Sequence, residues 1–275
     1  MCGTSEERAL RHVAEASSGD PLDPSLRVSL NFHPDRLARG IPVLAALARD
    51  GVYRSQFETG TSNGGLTAHP GGDRWRWESR IFGTAYDGAP ASSRPKYGAL
   101  NHLRRAAGAA PRFGSAHFRL TGETLSRTTF CYPDSVFSPV DFGVASRFSA
   151  LSSNVADSAD PLDDYVEAQV HGTVSLSRDV EALVLDPCFR GTEVEELASA
   201  LPCRVEWHHG FRLGVDALAR CEAYRGPEVV RLGLSAAVDG WLDATAIGAA
   251  ARAGHDEQLV KRLWHVLARF GALPG

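Results

Sequence analysis

Two stretches far apart in this chain alternate apolar and polar residues with a period of two, the mark of β-strands. Residues 26–33 (LRVSLNFH) put Val28, Leu30 and Phe32 on one side. Residues 165–172 (YVEAQVHG) put Val166, Ala168 and Val170 opposite Glu167, Gln169 and His171. Other stretches follow the helical period instead. Leu37, Ile41, Leu44 and Leu47 share a face over residues 35–49, as do Leu259, Val260, Leu263, Trp264 and Leu267 over residues 256–270. Strand-period and helix-period segments together predict an α+β fold, with a mixed or antiparallel sheet core and flanking helices.

The punctuation divides the chain into three parts. Thr4 and Glu7 have capping-box spacing and open a short helix to residue 16, and residues 17–24 are a turn-rich linker. Residues 25–210 form the α+β domain. Within it, Pro34-Asp35 starts a helix through residue 49 that Pro42 kinks or restarts. Residues 97–107 are expected as a helix, and residues 112–120, 127–132, 164–176, 180–185 and 203–208 as strands. Thr192 and Glu195 have the spacing of a second capping box, and residues 135–160 are expected as a loop. Residues 211–275, Ala-rich and then amphipathic, form a small helical appendage.

Composition excludes some classes of function. Hydrophobic residues make up 43% of the chain and charged residues 23%, which is globular. No run approaches the ~18 apolar residues of a membrane-spanning helix. The net charge of −4 argues against a nucleic-acid partner that reads a basic stripe. The five cysteines are widely spaced, with no C-x-x-C pair. A polar N-terminus without an apolar core is not a secretory signal. The expectation is a cytoplasmic protein, or one exported without a cleavable signal if it is an effector.

Three motifs carry the candidate chemistry. Asn31 to Arg36 (NFHPDR) ends a strand with His33, Asp35 and Arg36; for Asp35 a capping role is the simpler reading. Residues 53–65 (YRSQFETGTSNGG) combine Arg54, Glu58, Ser62, Asn63 and Gly64, a turn whose backbone N–H groups could cradle an anion. They lie in residues 51–88, a long irregular stretch with Trp75 and Trp77. Such stretches in compact domains are usually functional or disordered. On the third motif, Glu167, Gln169 and His171 face either solvent or a cleft. In a cleft, Glu167 could stabilise a developing cation. No H-E-x-x-H, clustered metal-ligand set or G-x-S-x-G elbow is present.

Together FHPDR, YRSQFETGTSNGG and EAQVHG resemble an uncharacterised bacterial family, over about residues 26–191. Their order is also similar to that of the ADP-ribosyltransferase fold. There an early strand carries His or Arg, a middle strand Tyr or Ser, and a late strand a catalytic glutamate. That resemblance implies NAD as the substrate, held by His33 or Arg36 (less readily Arg54) and by the Ser62-Asn63-Gly64 turn. It implies Tyr97 or Ser115 in the middle role, with Glu167 as catalytic carboxylate, Gln169 beside it and His171 following. The pair here is E-x-Q, not E-x-E or Q-x-E, and no S-T-S motif is present.

The leading expectation is therefore an NAD-consuming ADP-ribosyl transferase or glycohydrolase, a toxin, effector or housekeeping enzyme whose acceptor, a protein or another molecule, is not specified. A second is a hydrolase or phosphoryl-handling enzyme using His33, Asp35, Arg54 and Glu58. A third is a non-catalytic binding module gripping its ligand through Trp75 and Trp77.

Overall fold

The computed structural model describes residues 3–60, 67–148 and 160–272. Eight strands form the main sheet: β1 (Val28–Phe32), β2 (Lys96–Leu100), β3 (Ala116–Leu120), β4 (Thr128–Cys131), β5 (Phe142–Val144), β6 (Val166–Val170), β7 (Val180–Leu185) and β8 (Arg204–Trp207). Their order is β8-β7-β3-β1-β2-β6-β4-β5. Neighbours run antiparallel except β7 and β8, which are parallel. The longer helices are α1 (Ser5–Ala16), α2 (Val43–Asp50), α3 (Asp73–Ile81), α4 (Glu193–Ser199), α5 (Pro227–Ala236), α6 (Ala244–Arg252) and α7 (Glu257–Phe270). A parallel pair needs a crossover connection, and α4 lies on the one between β7 and β8. This is the expected α+β class with a mixed sheet.

One face of the sheet is apolar. Val28, Leu30, Phe118, Phe130, Val166, Ala168 and Val170 pack with Leu44 and Leu47 of α2, Val194 and Ala198 of α4, and the apolar stripe of α5 to α7 in a single core. Each large side chain fully removed from water there stabilises the fold by roughly 1.5–3 kcal/mol before entropy is counted. Residues 211–272, expected as an appendage, share this core. The opposite face carries Asn31, Tyr97, His117, Thr129, Glu167 and Gln169. Over its β4–β5 side lie α1 and α3, where Val13, Trp77, Phe82, Tyr86 and Cys131 form a smaller cluster.

Several local expectations change. Residues 97–107 contain β2 and coil, not a helix. A side chain at Gly98 would meet Leu30 Cδ2 at 2.5 Å and Ser29 O at 2.6 Å, so the packing of β1 selects a strand there over local propensity. The helix expected from residue 35 begins only at Val43. Leu37–Ala38 and Ile41–Pro42 instead pair as a hairpin, turned by Arg39 and Gly40 at φ 52° and 83°. The irregular stretch holds α3 and a short helix, Gln56–Thr59. The Thr4 box forms as expected. Thr192 makes no capping bond; its hydroxyl donates to Phe189 O instead. The expected 135–160 loop contains β5.

Candidate active site

Register places Glu167 of β6 opposite Ala99 on β2 and Cys131 on β4. The polar side of β6 faces neither solvent nor an open cleft: Glu167 is 6% exposed, Gln169 0% and His171 1%. Buried polar groups are costly unless paired, and here they pair in series. Thr129 Oγ1 donates to Gln169 Oε1 at 2.8 Å, and Gln169 Nε2 donates to Glu167 Oε1 at 2.9 Å. With its proton committed, Thr129 accepts from His171 Nε2 at 3.0 Å. That fixes the Nε2–H tautomer by inference from the network. His171 Nδ1 then accepts from the Tyr86 hydroxyl at 2.6 Å. The result is a directional line from Tyr86 to the Glu167 carboxylate.

The other carboxylate oxygen belongs to a turn after β4. Ser135 donates to Glu167 Oε2 through Oγ at 2.8 Å and through its backbone N–H at 3.3 Å. Arg74, near the start of α3, donates Nη1 to Ser135 Oγ at 2.7 Å and lies 3.8 Å from Glu167 Oε1. Its guanidinium also stands 4.0 Å from the centre of the Tyr97 ring. Tyr97 donates to Glu78 Oε1 at 2.7 Å, and Glu78 is ion-paired to Arg94 at 2.6 Å. On the far side of the turn, Asp134 accepts from the Tyr165 hydroxyl and caps Val136 at 2.9 Å.

Charge in this cluster is balanced closely. Burial pushes the Glu167 carboxyl above the usual range; Arg74 pulls it back, while Asp134 adds to the rise. Burial likewise raises Glu78 against the pull of Tyr97 and Arg94. For His171, burial, then Lys96 and Arg127, push the ring down to about 3, so it is neutral near pH 7. The site thus offers a guanidinium, a hydroxyl and a dry carboxylate at one point. Such a group can stabilise positive charge developing on a substrate.

Of the residues singled out in the sequence, Glu167, Gln169, His171 and Tyr97 come together. The others among the described residues do not join them. His33 lies four residues beyond Ser29, which stands in the same row as Glu167 through Ala99. Strand rise and spacing then put His33 roughly 16 Å from Glu167, out of side-chain reach. Its ring instead meets Trp264 of α7 edge-on at 4.9 Å, and burial pushes it down to about 3. Asp35 is buried within 3.5 Å of Arg252, and burial raises its carboxyl. Arg36, whose pKa burial lowers, is influenced by the same Asp35 and Arg252 and by Glu257 of α7. The FHPDR motif therefore docks the C-terminal helices.

Arg54 is half-exposed and pairs with Asp50 at 2.8 Å and Glu58 at 3.1 Å. Glu58 closes a capping box with Ser55. Ser115 is buried, and its carbonyl accepts from His208 at 2.8 Å. Ser62, Asn63 and Gly64 lie outside the described residues. His33 and Asp35 thus contact the C-terminal helices, whereas Arg54 and Glu58 pair locally with each other, Asp50 and Ser55. No group of three His, Cys, Asp or Glu side chains suited to a metal occurs among the described residues. Trp77 packs against Phe82, Tyr97 and Phe142, as a core residue rather than a ligand grip.

Sequence reasoning missed Arg74, Ser135, Asp134 and Thr129. Thr129 was accessible through strand alternation over residues 127–132. Arg74 sat inside the polar-dense stretch without a signal separating it from its neighbours. Ser135 is placed by a short turn (Ser135–Phe137) that no periodicity announces. Among the described residues, no helix is long and apolar enough to cross a membrane.

A family model described as "Protein of unknown function (DUF3626)" matches residues 27–157 and 150–270. No curated protein matches the chain.

Proposed function

The chain belongs to the DUF3626 family, and from its own geometry we propose that it is an NAD-consuming enzyme, an ADP-ribosyl transferase or NAD glycohydrolase, with Glu167 as its working carboxylate. The observation that carries this reading is the setting of Glu167: a buried carboxylate on a sheet strand, 3.8 Å from the Arg74 guanidinium and hydrogen-bonded by Ser135 and Gln169. The order of motifs similar to ADP-ribosyltransferases supports it too, with Tyr97 in the middle role and Glu167 late. Arg74, not His33 or Arg36, is the cation beside the carboxylate.

In the proposed reaction the bond between ribose C1′ and the nicotinamide nitrogen breaks. Nicotinamide leaves with the electron pair, and ionised Glu167 stabilises the oxocarbenium-like ribose until water or an acceptor attacks C1′. Arg74 serves two ends: it pulls the Glu167 carboxyl back toward the ionised form against burial, and its charge suits the dinucleotide phosphates. Ser135 lies over the carboxylate, so the reading requires the Ser135–Phe137 turn to move aside when NAD enters.

Glu167→Gln keeps the size of the side chain and removes the charge. The expected outcome is loss of nicotinamide release from NAD by about 10²–10³-fold, with the circular dichroism spectrum retained. Wild-type protein that neither binds NAD nor releases nicotinamide, alone or with bacterial and eukaryotic extracts as acceptors, overturns the proposal.

A further inference from the structure

The polar face of the sheet has a second feature, on the other side of β1 from Glu167 and independent of the NAD reading. A cavity of about 230 Å³ opens there, lined by Arg27, Arg104, Arg105, Arg119, His117 and Asn101 together with small and apolar groups, and by no carboxylate. Four guanidinium groups around one cavity repel one another, Arg27 and Arg119 being partly buried and Arg104 largely exposed. Three are held from outside the cavity. Arg27 pairs with Glu181 at 2.6 Å, Arg119 with Glu181 at 3.0 Å and in bidentate fashion with Glu206, and Arg104 with Asp23 at 3.0 Å. Arg105 has no carboxylate within ion-pairing distance among the described residues, and its shown side-chain contact is a 3.5 Å bond to Ala109 O.

His117 sharpens the case. It is 2% exposed, lines the cavity, and its Nδ1 is buried without a hydrogen-bond partner. A buried ring nitrogen left unpaired costs roughly 1–3 kcal/mol, which a ligand oxygen would recover once the ring turns to bring Nδ1 to the cavity. The loop is also set for the task. Asn101 accepts from the backbone N–H of Arg105 at 2.9 Å and donates to its carbonyl at 2.9 Å, and Arg104 is held at φ 53°. A non-glycine residue in that region is uncommon and worth a functional question.

We propose that this cavity binds the phosphate of a small phosphomonoester, with Arg105 and His117 contacting the phosphate and Arg27, Arg104 and Arg119 supplying the field. Its volume lies below the usual range for drug-sized ligands, which favours a sugar phosphate over a dinucleotide. Guanidinium forks match phosphate oxygens in geometry as well as charge.

The test is calorimetric titration of the full chain with inorganic phosphate, ribose 5-phosphate and unphosphorylated ribose. Saturable binding of ribose 5-phosphate with no binding of ribose is expected. Arg105→Ala and His117→Asn are each expected to weaken it about tenfold or more. Arg105→Ala should melt like wild type, so its loss of affinity cannot be ascribed to unfolding. No binding of either phosphate probe at millimolar concentration overturns the proposal, as does binding that Arg105→Ala leaves unchanged. Binding of ribose equal to that of ribose 5-phosphate also overturns it. Because these measurements never touch Glu167 or NAD turnover, their failure leaves the proposed activity standing, and the converse holds.

Discussion

His171 shows how one buried residue can tie stability to pH. Its ring accepts from Tyr86, donates to Thr129, and stacks on Tyr86 at 5.8 Å. All of this requires the neutral form. In the unfolded chain a histidine takes up its proton near pH 6.5, whereas in the folded chain the ring resists protonation down to about 3. The unfolded state therefore binds more protons between those limits. The stability that His171 contributes is complete above pH 6.5 and is lost as pH falls toward 3, at up to about 1.4 kcal/mol per pH unit. His33, His117 and His265 are pushed to about 3 in the same direction. Glu167 acts in the opposite sense, since its raised pKa makes the fold lose stability as pH rises through the carboxylate range. Comparing wild type with His171→Gln cancels these shared contributions. Urea unfolding at pH 7.5, 6 and 5 is expected to show the gap between the two proteins narrowing toward acid; a constant gap would mean that the His171 ring titrates alike in the folded and unfolded chains.

At the scale of elements, alternation and capping were legible where the chain's own period decided the outcome. β1 and β6 alternate cleanly, and Thr4 with Glu7 made the box that their spacing predicts. What could not be read was decided by contacts distant in sequence. Residues 97–107 have helix-tolerant composition, yet Lys96–Leu100 is pinned between β1 and β6. Likewise, the period-two pattern of β6 gave the face of Glu167 but not what covers it, because Arg74 and Ser135 arrive from separate segments. Gly98 makes the first of these points measurable. In a helix, Gly98→Ala would stabilise the protein by up to about 1 kcal/mol. In β2 the new Cβ would stand 2.5 Å from Leu30 Cδ2 and 2.6 Å from a backbone oxygen, so the substitution is expected to cost about 1–3 kcal/mol. Chemical denaturation reads the sign directly, and a stabilised Gly98→Ala protein would contradict the placement of β2.

The whole molecule is held together by a motif that looked catalytic. His33 meets Trp264, Asp35 approaches Arg252, and a Cβ at Gly248 would fall 1.6 Å from Asp35 Oδ2, so only a glycine in α6 lets that carboxylate dock. Trp264 also packs on Phe211 at 5.2 Å and donates its indole N–H to Pro111 O at 2.9 Å. Strand end, coil and C-terminal helix thus meet at one side chain. If residues 211–272 were a separate appendage, Trp264→Ala would lower the stability of one unit and leave the other unfolding as before. With a shared core, truncating a fully buried tryptophan costs about 3–5 kcal/mol for the molecule as a whole, and Pro111 O keeps only its bond from the Gly114 N–H at 3.1 Å. Scanning calorimetry of Trp264→Ala is therefore expected to show a single transition moved to lower temperature, with far-UV circular dichroism and tyrosine fluorescence changing together. Two resolved transitions, one of them at the wild-type temperature, would show that the C-terminal helices fold apart. In that case the FHPDR motif would need another reason for its His and Asp, with chemistry at His33 as the alternative.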